Sequence, residues 1–234
     1  MTERVSEARI LWRLLLGQPR QGTHAERLQA FYAPQASRYD RFRARLLQGR
    51  EDLLVHLAPA PGEHLVELGC GTGSSLERLG PMVNQLACFD LVDLCPALLV
   101  LARQRATGCP VARVSEADAR HWQPAKPVDA VFLSYALSMM PDWPLVLANA
   151  YAMLRPGGRI GLVDFYLPGS GSPWANALWR RWFAHDGVHL SAEQLPALRA
   201  HFVEIYCAER RARLPYLPGV QAPYYLFVGR KPAG

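Results

Sequence analysis

No pair of cysteines in the chain is spaced C-x-x-C, and the five that occur (Cys70, Cys88, Cys95, Cys109 and Cys207) are odd in number. Each sits in an apolar stretch, so reduced, buried thiols in a cytosolic protein are expected rather than a disulfide framework. No secretory signal is visible, and no apolar run reaches the length of a membrane span. The nearest, residues 10–16, is short and interrupted by Arg13. There is no internal repeat and no low-complexity tract. No nucleic-acid-binding motif accompanies the net charge of +6, and the arginines are scattered, so nucleic acid is not expected as a partner. An anionic surface or an acidic substrate fits that charge equally. Histidines at positions 185 and 189 stand four apart, but Gly187 between them and the lack of a third ligand argue against zinc, and no metal is expected.

What is present is 234 residues, half of them hydrophobic, enough for one α/β domain with a substantial core. Residues 3–17, 24–32 and 36–57 carry helical spacing, with Pro34 between the last two. From residue 65 the period changes. Strands are expected at 65–68, 85–93, 111–115, 128–135 and 159–165, with helices at 74–79, 96–107 and 144–154, the last stopped by Arg155-Pro156-Gly157-Gly158. Strand–helix alternation with continuously apolar strands is the pattern of a parallel sheet covered on both faces. Residues 168–173 form a Gly/Ser/Pro loop, Ser191 and Gln194 are placed to box the start of a helix, and 203–210 and 224–230 read as two closing strands. The expected architecture is α/β: a Rossmann-like, seven-stranded, mostly parallel sheet with helices on both faces. A single domain spans 1–234, with a helical N-terminal lid over 1–57 and a helical insertion around 168–190.

The first strand runs into a glycine turn, Val66-Glu67-Leu68-Gly69-Cys70-Gly71-Thr72-Gly73. No lysine follows it, which excludes a nucleoside-triphosphate loop. The spacing is G-x-G-x-G rather than the G-x-G-x-x-G of dinucleotide sites. Glu67 just before it would repel a pyrophosphate, yet would suit an ammonium group, and S-adenosylmethionine carries an ammonium and no phosphate. In that order the residues resemble the first motif of class I S-adenosylmethionine-dependent methyltransferases. Val92-Asp93-Leu94-Cys95-Pro96 resembles the family's second motif, in which a carboxylate binds the ribose hydroxyls, with Asp90 as the competing candidate. Asp118-Ala119 stands where the family's adenine-reading Asp does, and Leu154-Arg155-Pro156-Gly157-Gly158 precedes the fifth strand. The cofactor implied is S-adenosyl-L-methionine, held by Tyr39, Glu67, Gly69, Cys70, Gly71, Asp93, Leu94, Asp118, Ala119 and Ser134.

Methyl transfer to an amine needs alignment, desolvation and tolerance of a methylated cation, which aromatic faces supply. Tyr32, Tyr39, Tyr135, Trp143, Phe165 and Tyr166 are the candidates, of which two or three are expected at the site. Stretches outside the cofactor motifs resemble the diacylglyceryl-homoserine N-methyltransferases of betaine-lipid synthesis: Phe31-Tyr32-Ala33-Pro34, Tyr39-Asp40, Gln48-Gly49-Arg50, residues 134–141, Val163-Asp164-Phe165 and residues 215–230. The resemblance runs from about residue 25 to the end. It implies three successive methylations of the homoserine amine of a lipid headgroup, with Tyr32, Tyr39, Tyr135 and Asp164 at the reacting amine. Asp164 orients the amine or braces a loop. Arg50, Arg181 and Trp143 would contact the substrate, an arginine fork suiting its carboxylate. Residues 4–16 and 174–183 have compositions suited to a membrane interface or, equally, to covering the core. The expected partners are the lipid substrate, the inner membrane face and the enzyme that makes the homoserine lipid. The alternatives are a class I methyltransferase acting on a small soluble amine or a quinone ring, and a non-catalytic cofactor-binding scaffold.

Overall fold

The computed structural model describes residues 46–168, 172–185, 187–214 and 219–233, together with Gly22, Thr23, Glu26, Gln29 and Ala30. The helix expected over 3–17 lies outside those residues, as do all of 24–32 except Glu26, Gln29 and Ala30, residues 36–45 of the one expected over 36–57, and with them Tyr32 and Tyr39. Where the last of these helices is described, it is not continuous. Leu47–Gly49 turn, Gly49 takes φ 80°, and helix α1 begins only at Arg50 (Arg50–Leu57). A Cβ on Gly49 would lie 2.9 Å from the Tyr224 ring, so glycine meets both the backbone angle and the contact there.

Seven strands form one sheet: β1 (His64–Leu68), β2 (Cys88–Asp93), β3 (Ala112–Glu116), β4 (Val128–Ser134), β5 (Leu154–Phe165), β6 (Val203–Arg213) and β7 (Gln221–Arg230), in spatial order β3-β2-β1-β4-β5-β7-β6. Strands β1 to β5 pair in parallel, and β7 runs antiparallel between β5 and β6. The crossovers are α2 (Ser75–Leu79), α3 (Pro96–Ala106) and α4 (Trp143–Met153). After β5 come α5 (Pro173–His185) and α6 (Gln194–His201).

Strand alternation divides the core in two. Leu65, Phe89, Leu91, Phe132, Val163 and Leu226 face one side, under α1 and α3. Val66, Val92, Val131, Leu133, Leu162 and Phe227 face the other, under α4 and α6. The inner strands β1, β2, β4 and β7 bury both faces, which is why their sequences are apolar without alternating, whereas the edge strands β3 and β6 stay largely exposed or half-buried.

Four boundaries differ from expectation. Gln85 ends a 3₁₀ turn (Gly80–Gln85) rather than starting β2. Tyr135 falls beyond β4, in the left-handed region at φ 54°. The Arg155–Gly158 run does not separate α4 from a strand, because β5 already starts at Leu154. Gly157 N donates to Lys231 O, and Lys231 N to Gly158 O, so pairing with the C-terminal segment draws this run into the strand as a bulge, with Gly157 at φ 75°. The Ser191 box does not form either: Glu193 is the N-cap of α6 and uses no side-chain cap, while Gln194 is buried and accepts from Tyr225 Oη at 3.4 Å.

Candidate active site

Chain order reverses at β1, with β2 on one side and β4 on the other. A cavity of about 350 Å³ opens there, at the carboxyl ends of the strands, where parallel α/β sheets bind ligands. All nine cofactor candidates within the described residues line it: Glu67, Gly69, Cys70 and Gly71 from the end of β1 and its turn, Asp93 and Leu94 from β2, Asp118 and Ala119 after β3, and Ser134 from β4.

The turn after β1 is built on glycine for geometric reasons. Gly69, Gly71 and Gly73 have φ of 75°, 56° and 69°. Cβ atoms on Gly69 and Gly73 would lie 2.5 Å from Ala136 Cβ and 3.1 Å from Ala102 Cβ. Asp93 ties this turn to the end of β2. Its Oδ2 accepts from Gly71 N at 2.7 Å and its Oδ1 from Cys95 N at 2.8 Å. Burial raises its carboxyl above the ordinary range, against these amide bonds.

Glu67 is 4% exposed and accepts a short hydrogen bond from Ser75 Oγ. Burial pushes its carboxyl up to about 7, opposed by the Ser75 bond and by the charges of Arg50 and Arg78. The Asp118 carboxylate is held from both oxygens by Arg120, whose Nη1 reaches Asp142 at 2.6 Å, and this guanidinium keeps the Asp118 carboxyl low. Ser134 Oγ is buried and has no hydrogen-bond partner among the described residues. Asp90 lies back toward the amino-terminal end of β2, 2.6 Å from His64 Nε2, so Asp93 is the carboxylate of that strand that lines the cavity.

These residues fit S-adenosylmethionine better than a dinucleotide. Buried carboxylates at the ends of β1 and β2 would suit an ammonium and a pair of ribose hydroxyls, and Asp93 occupies the glycine-turn amide that a pyrophosphate would need. The unpartnered Ser134 hydroxyl supplies one more polar contact.

At the acceptor end, Tyr135 lines the cavity. Its Oη donates to Gln48 O at 2.7 Å, and the Arg50 guanidinium lies 5.7 Å from its ring centroid. Phe165 packs on Tyr135 at 4.7 Å and on Phe183 at 4.8 Å, a second aromatic layer behind the first. The remaining candidates are elsewhere. Asp164 is 1% exposed and behind the wall, with its oxygens accepting from Ser138 Oγ (2.6 Å), Ser138 N (2.9 Å) and Phe165 N (2.8 Å). It braces the 3₁₀ turn Leu137–Met139, and burial pushes its carboxyl up to about 6. Trp143 does not line the cavity but packs at the start of α4 against the other core face. Tyr166 turns to Tyr225 and Glu209, and Arg181 is exposed on α5.

Ser75, Arg78 and Arg120 are cavity residues that sequence reasoning did not single out. Arg78 Nη1 donates to Ser74 O and Oγ, the i, i+4 spacing being the one local sign of it.

Residues 65–158 match the family model described as a methyltransferase domain. Trans-aconitate 2-methyltransferase of Klebsiella pneumoniae is 32% identical over 126 residues, covering 54% of this chain and 48% of that protein. Nocamycin O-methyltransferase of Saccharothrix syringae is 34% identical over 128 residues, covering 53% and 45%. The chain thus spans about half the length of the curated relatives it matches. Among solved structures, the N-methyltransferase NodS from Bradyrhizobium japonicum, in complex with S-adenosyl-L-homocysteine, aligns with a TM-score of 0.67 at 19% identity, over 88% of this chain and 98% of that one. The phosphoethanolamine N-methyltransferase 2 of Haemonchus contortus, in complex with S-adenosyl-L-methionine, aligns with a TM-score of 0.71 at 14% identity, over 91% and 61%. Residues 65–158 thus match a methyltransferase domain, and the fold around them is the one shared by these solved methyltransferases.

The protonation of Glu67 carries a pH signature. Its folded pKa of about 7 stands above the ordinary 4.5, so the empty fold loses stability as pH rises from about 4.5 to 7, with no further loss from this group above that. An ammonium ligand prefers the ionised form, so affinity for S-adenosylmethionine is expected to change the other way. It should climb by up to about tenfold per pH unit below 7 and fall again above about 8, where the ligand's own α-ammonium loses its proton. Calorimetry across the neutral range checks this, with Glu67→Gln expected to bind more weakly and without the inflection. An unchanged pH profile in that variant would remove Glu67 from the ammonium site.

Proposed function

We propose that the chain is an N-methyltransferase acting on the amino-acid headgroup of a lipid, methylating the homoserine amine of diacylglyceryl-homoserine in successive rounds to the trimethylated betaine lipid. The observation that carries this reading is the pairing of Arg50 with the Tyr135 ring on the cavity wall. A guanidinium suits the headgroup carboxylate, and an aromatic face suits an amine that becomes a permanent cation.

In this reading Glu67, Asp93 and Asp118 hold the donor by its ammonium, ribose and adenine, with the glycine turn fitted against it. When bound, S-adenosylmethionine supplies an electrophilic methyl on a positively charged sulfur. The chain's part is alignment and exclusion of water. Tyr135, fixed by its Gln48 bond and backed by Phe165, holds the neutral amine so that its lone pair forms the N–C bond as the S–C bond breaks. Water takes the proton after the first and second transfers, and the third leaves no proton to lose. Asp164 acts as a positioning residue, holding the turn after Tyr135 rather than touching the amine.

Lipid access is supported by α5, next to the aromatic layer. Trp179 and Phe183 turn inward, while Trp174 is 87% exposed and Arg180 and Arg181 face outward, a distribution suited to headgroup depth. Among the described residues no helix is long and apolar enough to cross a membrane, so contact at this face would be peripheral.

A specific observation favours a second reading. The sequence relatives are named for trans-aconitate and O-methyl transfer, and an arginine at the acceptor end would equally hold a small polyacid. The deciding experiment incubates the full chain with S-adenosylmethionine and detergent-dispersed diacylglyceryl-homoserine, and in parallel with trans-aconitate and soluble homoserine. Mass analysis is expected to show mono-, di- and trimethyl lipid. Turnover of the soluble compounds with none of the lipid would overturn the proposal.

A further inference from the structure

Strand register places a second cluster of polar side chains at the opposite edge of the sheet. His64, the first residue of β1, pairs in parallel with Cys88, the first residue of β2, and Asp90 follows two positions on. Side chains two apart on a strand share a face, so imidazole, thiol and carboxylate all project to one side. They converge. His64 Nε2 is 2.6 Å from Asp90 Oδ2, Cys88 Sγ is 3.8 Å from that same oxygen, and the three ligand atoms lie within 4.8 Å of one another. Cys88 and Asp90 are 6% and 5% exposed.

We propose that His64, Cys88 and Asp90 form a three-ligand site for zinc or a similar thiophilic divalent ion. Zinc bonds of about 2.0–2.3 Å in tetrahedral geometry set neighbouring ligand atoms about 3.3–3.8 Å apart. The Cys88–Asp90 separation already meets this, and His64 and Asp90 need part by only about 1 Å to admit the ion. A thiolate and a carboxylate together neutralise the divalent charge, which makes a nearly buried site electrically tolerable. The donor set is the mixed S/N/O kind that zinc accepts and that magnesium and calcium do not. His64 is fixed from behind, its backbone N donating to Asp129 Oδ2 at 2.8 Å.

The open side of the triad faces a cavity of about 350 Å³, lined also by Arg113, Trp122 and Lys126. Two cations beside the open position favour an anion, or hydroxide, as the fourth ligand. The site is at the amino-terminal ends of β1 and β2, whereas the methyl-donor cavity is at their carboxyl ends. The ion would therefore staple the two strands that carry Glu67 and Asp93 and take no part in the chemistry.

The test uses the full chain freed of metal with a chelator. Titration with zinc against a chromogenic competitor is expected to show one saturable equivalent. Cobalt should give the near-ultraviolet thiolate charge-transfer band and the intense visible bands of a four-coordinate ion. Cys88→Ser should remove the band and weaken zinc binding by about tenfold or more, while Cys109→Ser keeps both. Circular dichroism and S-adenosylmethionine binding check that Cys88→Ser remains folded, and His64→Gln with the same readouts substitutes if it does not. No saturable zinc binding by the unaltered chain, or equal binding by Cys88→Ser, overturns the site and leaves the methyltransferase reading standing.

Discussion

Asp93→Ala is expected to weaken S-adenosylmethionine binding by about 10²–10⁴-fold, the largest loss of any single carboxylate in the cavity. Hydrogen bonds to a charged group contribute about 1.5–3 kcal/mol each, and a ribose diol makes two. A further loss comes from the protein itself. Asp93 Oδ2 holds Gly71 N, and Oδ1 holds Cys95 N, so the alanine frees two buried amides and loosens the turn against which the donor packs. Asp93→Asn separates the two contributions. Its side-chain oxygen still accepts one amide bond, but the new amide group offers donors where Gly71 N also donates, and the charge is gone. Calorimetry should place asparagine between wild type and alanine, with the melting temperature moving less than the affinity. Binding within about threefold of wild type in the alanine variant would be only a fraction of one such bond, and would dismiss Asp93 from the ribose site.

That carboxylate also marks how far the sequence could be read. A strand ending in Asp-Leu-Val-Asp has two acids on opposite faces, and periodicity alone leaves open which one meets the ligand. The answer depends on where β2 ends: Asp93 is its last residue and meets the cavity, while Asp90 lies three residues back toward the opposite end of the sheet. The five parallel strands, their crossovers and the cavity-lining candidates from Glu67 to Ser134 were legible because local signals coincide there: continuous apolar runs, glycine turns, and acids at strand ends. The misplaced residues all depended on distant partners. Gly49 breaks a helical pattern because of Tyr224, far along the chain. The Pro156-Gly157-Gly158 turn signal is overridden by pairing with Lys231. Tyr166 follows Phe165 directly, yet turns to the other face, toward Tyr225 and Glu209, while Phe165 backs Tyr135. The His64–Cys88–Asp90 triad was invisible for the same reason, since its ligands meet only through strand register.

Gly69→Ala is the second substitution expected to have a large effect, and it tests packing rather than charge. The residue has φ 75°, which costs a side-chain-bearing residue about 1–2 kcal/mol. Its Cβ would also stand 2.5 Å from Ala136 Cβ, well inside contact, and Met140 Cε at 3.3 Å closes the same side. Relief by moving the backbone adds about 1–3 kcal/mol, for a total of about 2–5 kcal/mol against a typical stability of about 5–15 kcal/mol. The relief also has a direction. Ala136 belongs to the turn after Tyr135, which Asp164 holds through Ser138, so that turn resists and the glycine loop must yield into the cavity. Affinity for S-adenosylmethionine should therefore fall along with stability. The double variant Gly69→Ala/Ala136→Gly removes the clash and leaves the backbone strain. Its melting temperature should recover part of the loss, and its cofactor affinity more than that part. If the second substitution restores nothing, the close approach of the two turns is not what requires glycine at 69, and backbone conformation alone accounts for it.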